Sequence, residues 1–262
     1  MKKKHWLKSF VAAVTASALV WTCAPVGALA AGPDTGAAPA GTAASARTAT
    51  LPAQGNGWYL DADGTLTIEN DEGMKDWCNR SFTYHLDVKS VVLQNGVTTI
   101  GDWAFEDCSE LTSVTISNSV ISIGDSAFAG CNSLTSVIIP RNIKYIGIAA
   151  FSCCTNLTNI NIPYGVTSIS NFMFSECVNL KNIKIPNSVK SIGISSFNGC
   201  ISLKSISIPK SVKTIGAYAL NNCKSLTDIY YSGTKAQWDE IEKCNDYGDT
   251  DKILANVKIH YS

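Results

Sequence analysis

The chain has 262 residues, with 21 basic side chains against 21 acidic ones. Removal of the first thirty residues, argued below, would leave 17 basic and 21 acidic groups, a net charge of −4. That balance argues against general binding to nucleic acid or to anionic membranes.

Lys2, Lys3, Lys4 and Lys8 make a basic start, and an apolar run follows from Phe10 to about Ala24. Ala28-Leu29-Ala30 then offers a small-x-small cleavage site, so residues 1–30 read as a secretory signal peptide. The apolar run, about 15 residues long, falls short of the roughly 20 that span a bilayer as a helix. An exported chain with no membrane span is expected. Cys23 is a poor lipid-attachment site, because Trp21 and Thr22 do not make a lipobox. Residues 31–54 are rich in Ala, Gly, Pro and Thr, with only Asp34 and Arg47 charged. They read as a disordered linker, having too little apolar surface to offset the entropy of ordering.

Residues 55–96 are expected to form an N-terminal β cap that contains a degenerate repeat. Trp58-Tyr59-Leu60 and Thr65-Leu66-Thr67-Ile68 flank Asp61-Ala62-Asp63-Gly64, the pattern of a hairpin with an Asp-Gly turn. Asp61 and Asp63 could suggest calcium, but the further ligands of a calcium loop are missing. Trp77, Phe82, His85 and Val88 then fall where the later repeats place their own buried columns. His85 is read as a residue that packs the cap.

From residue 97 to residue 234 the sequence repeats every 23 residues, six times, without insertion or deletion. Cys108, Cys131, Cys154, Cys177, Cys200 and Cys223 form one column, and Leu111, Leu134, Leu157, Leu180, Leu203 and Leu226 another. Ile100, Ile123, Ile146, Ile169, Ile192 and Ile215 form a third. Phe105, Phe128, Phe151, Phe174 and Phe197, followed by Leu220, form the fourth. A fixed period of this size marks a solenoid, in which each unit buries its apolar face only against its neighbours. Each unit reads as two short strands. In the repeat from Val120 to Asn142 the first ends at Gly124 and the second at Pro140, with Val137 and Ile139 facing inward and Ser136 and Ile138 outward. Between them, Asp125 to Gly130 reads as a single helical turn, with Asp102, Asp125 and Asn171 in a column suited to cap it. Gly130 and Gly199 mark its exit, where positive φ is easy. Cys153 fills that exit column in its own repeat and is expected near the surface.

The segments Ser119-Val120 to Ile123-Gly124, Ala127-Phe128-Ala129-Gly130-Cys131 and Ser133-Leu134-Thr135-Ser136-Val137-Ile138-Ile139-Pro140 carry a family resemblance. The chain resembles the BspA-like leucine-rich repeats of bacterial surface proteins from about Trp58 to Ser262. The resemblance implies an α/β leucine-rich-repeat solenoid, a right-handed superhelix of parallel strands and single helical turns, capped at both ends. It also implies adhesion to matrix proteins or neighbouring cells. Residues 235–262 are expected to close the array, with a short helix over Lys235–Glu242 that turns Trp238 and Ile241 inward, and a last strand over Val257–Tyr261.

The cysteine column is expected to hold buried free thiols rather than disulfides. Stacked strands lie about 4.8 Å apart, whereas disulfide Cβ atoms sit at about 3.8 Å. The histidines His85 and His260 both fall in caps, and no C-x-x-C pair, H-E-x-x-H helix or G-x-S-x-G elbow is present. No catalytic residue, metal or cofactor is expected. What the array offers is area. Ser90, Ser113, Ser136, Asn159, Asn182, Ser205 and Asp228 make one outward row of the second strands. Val92, Thr115, Ile138, Asn161, Lys184, Ser207 and Tyr230 make the next. Trp103, Phe172 and Tyr218 share a row on the turn side, as binding anchors or as packing for the neighbouring turns. Charge also drifts along the coil: residues 61–110 hold eleven acids and three bases, while residues 178–227 hold seven lysines and no acid. That drift fits a solvated face or a weak patch for anionic ligands.

These observations point to a secreted or cell-surface, non-enzymatic and monomeric binding protein. Its expected partners are host or microbial surface proteins or glycans, not nucleic acid. The candidate contact residues on the open repeat face are Ile138, Tyr145, Asn159, Asn161, Asn182, Lys184 and Tyr230. Two alternatives remain: a secreted hydrolase that uses Cys153 or the Asp246–Asp251 loop, and a purely structural spacer.

Overall fold

The computed structural model describes residues 51–79, 82–244 and 254–262. The segment read as signal peptide, the linker up to residue 50 and the Asp246–Asp251 loop lie outside the described residues.

The N-terminal elements are β1 (Ala53–Gly55), β2 (Trp58–Leu60), β3 (Thr65–Asn70), α1 (Asp71–Cys78), a 3-10 turn (Phe82–Asp87) and β4 (Ser90–Gly96). β1 pairs antiparallel with β2, so the ordered fold already begins inside the segment read as linker. The hairpin forms as its turn residues dictate, with Tyr59 opposite Thr67 and Gly64 at φ +87°. The Asp61 carboxylate accepts the amides of Asp63 and Thr65 at 3.0 and 2.8 Å, so it builds the turn. The helix α1 is absent from the sequence reading and stands where later repeats carry their first strand. Asn70 caps it by accepting the Gly73 amide at 2.9 Å, and Asp71 and Glu72 sit at the positive end of its dipole. Met74 and Trp77 bury its inner side.

The array continues with β5 (Thr99–Ile100), β6 (Ser113–Ile116), β7 (Ser122–Ile123) and β8 (Ser136–Val137). Next come β9 (Tyr145–Ile146), β10 (Asn159–Ile160), β11 (Ser168–Ile169) and β12 (Asn182–Lys184). It ends with β13 (Ser191–Ile192), β14 (Ser205–Ile208), β15 (Thr214–Ile215) and β16 (Asp228–Tyr231), followed by α2 (Lys235–Asp239), β17 (Glu242–Lys243) and β18 (Lys258–Tyr261). First strands pair in parallel with first strands, and second with second, always in the repeat register. Ser122 meets Tyr145, and Ser136 meets Asn159. The result is a β-solenoid with two strand ladders.

All four periodic columns point inward. Phe105, Phe128, Phe151, Phe174 and Phe197 are fully covered, and their rings stack with centroids 5.2, 5.3, 6.0 and 5.5 Å apart. The cysteine thiols of the column are free and buried. Beyond filling space, the five thiols from Cys131 onward each donate a hydrogen bond to a phenylalanine carbonyl of the preceding turn. Cys131, Cys154 and Cys177 donate to Phe105, Phe128 and Phe151 at 3.1 Å, and Cys200 and Cys223 to Phe174 and Phe197 at 3.2 Å. A column of cysteine therefore supplies a small apolar body and one donor per turn.

The segment read as one helical turn is a tighter device. Its local bonds run from residue i to i−3, as from Ala129 N to Ser126 O, while Ser126, Phe128 and Gly130 donate to Ile148, Ala150 and Ser152 of the next turn. Alternate residues thus face the neighbouring repeat, as in a sheet. Two columns adopt positive φ: Trp103, Ser126, Ala149, Phe172, Ser195 and Tyr218 enter the turn, and Asp107, Gly130, Cys153, Glu176, Gly199 and Asn222 leave it. The exit column is legible from its glycines; the entry column contains none. Asp102, Asp125 and Asn171 do not cap a helix. Their side-chain oxygens accept the amides of Asp125, Ile148 and Ile194, one repeat onward, at 2.8, 2.7 and 2.8 Å. That reach requires glycine beside it: a Cβ on Gly124 or Gly147 would lie 2.4 Å from the Asp102 or Asp125 oxygen. Ser170 occupies the same column only where the preceding turn has Ile148 in place of an acid.

The C-terminal segment extends both ladders. β17 joins β15 and β18 joins β16, so the repeat register carries on through an irregular last turn. The helix α2 starts with a capping box between Thr234 and Gln237 and is shorter than predicted, ending at Asp239. Trp238 and Ile241 are buried as expected, with Trp238 edge-on to Tyr231 at 5.2 Å.

Candidate binding face

The second-strand ladder presents the two outward rows in register. Asn182, Ser205, Asp228 and Lys258 follow one another on adjacent strands, and beside them run Lys184, Ser207, Tyr230 and His260. The sequence places His260 only in a cap. β18 carries it into the row, through a connection whose length the 23-residue period does not set. Its alternating Lys258-Ile259-His260-Tyr261 pattern signals a strand, but no pattern in the chain fixes its register.

The candidate residues separate into three groups. Ile138, 81% exposed, stands alone as an apolar projection. Asn159, Asn182, Lys184 and Tyr230 are also exposed, with Asn182 accepting from Ser205 at 3.1 Å. Asn161 lies on the surface too, but its amide is engaged: Oδ1 accepts the Ile139 amide at 3.0 Å and Nδ2 donates to the Ile139 carbonyl at 2.9 Å. It clasps the backbone just beyond the ends of β8 and β10. Tyr145 is not on this face. It belongs to β9 of the first-strand ladder, pairs with Ser122, and its hydroxyl lies 3.4 Å from Asp125 Oδ1. Its side chain reads as outward from the sequence, but only the two-ladder topology shows that the two outward sets lie on different sheets.

At the C-terminal end of this face a groove of about 260 Å³ is lined by Lys184, Asn187, Ser207, Tyr230, His260 and Tyr261, among others. Tyr230 and His260 stack with centroids 4.7 Å apart. His260 Nε2 lies 2.6 Å from Asp228 Oδ1, and Thr227 donates to Oδ2 at 2.7 Å. These two bonds hold the Asp228 carboxyl below the usual carboxylate range. A second, wider groove of about 400 Å³ runs along the first-strand ladder between Ile148 and Ile194, floored by Ser168, Ser191 and Thr214.

Among the described residues the cysteines and His85 are poorly disposed for nucleophilic or acid–base work. Burial pushes the thiols of Cys154 and Cys223 up to about 12. Burial and the Asp102 charge raise Cys78 to about 11. Nucleophilic cysteines require the opposite shift. Cys153 is not at the surface as expected but 8% exposed, folded into the turn. His85 is buried on Trp77, 2.7 Å from the Glu106 carbonyl, and burial lowers its pKa. Among the described residues no group of three or more His, Cys, Asp or Glu side chains is arranged to hold a metal. No helix among them is long and apolar enough to cross a membrane.

Stacked parallel turns, an inward Leu/Ile/Phe/Cys lattice and polar outward rows define a leucine-rich-repeat β-solenoid. The profile of the BspA type leucine rich repeat region matches residues 77–193 and 167–244, in six copies. The chain belongs to that family. Among solved structures, the T. pallidum leucine-rich repeat protein shares the fold, at 22% identity and a TM-score of 0.51 over 64% of this chain and 86% of that one. A leucine-rich cell surface protein of Faecalibacterium prausnitzii is similar at 24% identity, with a TM-score of 0.42, over 62% of this chain and 65% of its own. A Bacteroides ovatus leucine-rich repeat protein is similar at 24% identity, with a TM-score of 0.45, over 68% and 56%. The chain thus spans less than two thirds of these last two proteins. Comparison with curated proteins finds no match.

Proposed function

We propose that this is an exported, non-enzymatic binding protein of the bacterial surface or its surroundings. Residues 1–30 direct export, the following linker spaces the solenoid, and the second-strand face contacts surface proteins or glycans of host or neighbouring microbes. The protein works as a monomer. The observation that carries this reading is a division of labour. The side chains the coil needs are inside, whereas Asn159, Asn182, Lys184 and Tyr230 stand on the open ladder and bury none of the repeat's apolar columns. Membership of a leucine-rich-repeat family of bacterial surface proteins supports it.

The test is capture of purified matrix proteins and glycans by the purified protein and by a variant carrying Asn159→Ala, Asn182→Ala, Lys184→Ala and Tyr230→Ala together. At least one captured ligand should lose tenfold or more in affinity. Unchanged affinity for every captured ligand would place binding elsewhere, and Tyr145→Ala would then report on the opposite ladder. Capture of nothing at all would leave the spacer reading.

A further inference from the structure

We infer that the groove at the C-terminal end of the second-strand face binds the acidic sugar residues of an anionic polysaccharide. This rests on the reading that the second-strand face is the binding face, and it adds the site and the chemistry of the ligand.

Three features meet there. The first is a row of donors and rings: Lys184, Ser207, Tyr230 and His260 are consecutive partners on four adjacent strands. At about 4.8 Å per strand the row extends roughly 14 Å, the length of a short oligosaccharide. The second is aromatic surface: the Tyr230 ring, 48% exposed, is held on the outward row by its stack on His260, and Tyr261, 40% exposed, lines the groove from the neighbouring strand position. Such rings suit the apolar face of a pyranose, while Ser207 and Asn187 offer hydroxyl and amide groups to the ring hydroxyls.

The third is uncompensated positive charge: Lys184 lines the groove, Lys181, Lys204 and Lys210 are exposed on the same and the adjacent turn, and among the described residues none of the four pairs with a carboxylate. Lys181 and Lys204 occupy the same position of adjacent turns, with Lys204 N donating to Lys181 O at 3.0 Å. Like charges set side by side on a sheet repel, so this end of the coil gains from an anion. The nearby carboxylate of Asp228 is already engaged by His260 and Thr227. A neutral glycan would leave the lysines unused. Aromatic surface along a short row favours sugar rings over a bare phosphate chain.

Binding of a heparin-derived hexasaccharide, a hyaluronan hexasaccharide and a neutral dextran oligosaccharide to the purified protein, measured by titration calorimetry at low and physiological salt, tests this. One or both acidic oligosaccharides should bind, the sulfated and carboxylated arms separating the two anions, and dextran should not. Lys184→Glu and Tyr230→Ala should each weaken binding at least tenfold. Lys224→Glu, which makes the same change in net charge outside the groove, should leave it within twofold. Equal loss in Lys224→Glu would reduce the effect to bulk charge and overturn the site. So would single-stranded DNA or anionic phospholipid vesicles that bind as tightly as the acidic sugars. If neither acidic sugar binds but a protein ligand is lost on Lys184→Glu, the sugar assignment falls and the binding face stands. If every captured ligand ignores Lys184→Glu and the fourfold alanine variant, both fall. Thermal melting of Lys184→Glu, an exposed position, verifies that the fold is retained.

Discussion

A thiol donating to a carbonyl one turn away explains why a cysteine column suits this stack without disulfides along it. Serine would supply the donor but not the apolar bulk, and valine the bulk but not the donor. The free thiol in the unfolded chain ionises near 9, whereas burial holds Cys154 and Cys223 protonated to about 12. A raised folded value contributes stability below pH 9 that is lost as pH rises toward 12, at about 1.4 kcal/mol per pH unit for each such thiol. The denaturant midpoint should therefore hold between pH 7 and 8.5 and fall steeply above pH 9; a midpoint unchanged at pH 10.5 would show that the thiols are not shielded. Ser196 breaks the pattern of its own column. It is fully buried, its hydroxyl has no partner, and the same position holds Ala104, Ala127, Ala150 and Ala219 in other repeats. Ser196→Ala should raise stability by about 1–3 kcal/mol, the cost of a buried unsatisfied hydroxyl. Urea melts of the two proteins decide the sign.

Among the elements, both strand ladders were legible in the sequence, because a strict period fixes which residues recur inward. The conformation of the turn between them was not. Its entry column holds Trp103, Ser126, Ala149, Phe172, Ser195 and Tyr218, side chains that do not advertise a left-handed backbone, yet all have φ between 50° and 58°. The acid column reads as caps because Asp before a short turn commonly caps it; its actual partner is an amide 23 residues onward, invisible to local pattern. The glycine beside it carries the testable consequence. Gly147→Ala would set a Cβ 2.5 Å from the backbone nitrogen of Asp125 and should cost about 1–3 kcal/mol or more. A loss below half a kcal/mol in a denaturant titration would mean that neighbouring turns are not in such close contact. The candidate site was legible to the same extent. Outward rows followed from alternation, whereas the engagement of Asn161, the displacement of Tyr145 to the other ladder and the arrival of His260 depend on contacts between turns.

For the whole molecule, stability is a sum over stacked turns and their interfaces, so the interior columns set the coil and leave the exterior free to vary. The drift from acids at the start to lysines toward the end lies on this exterior, where it fits a solvated face or the anionic-ligand patch proposed above. The claim that inside and outside are separately assigned is tested most directly by one pair of unfolding free energies. Phe151 is fully buried and Ile138 is 81% exposed, both large, apolar and in neighbouring repeats. Phe151→Ala should lose about 3–5 kcal/mol, and Ile138→Ser should change stability by no more than about 0.5 kcal/mol. Comparable losses at the two positions would contradict it.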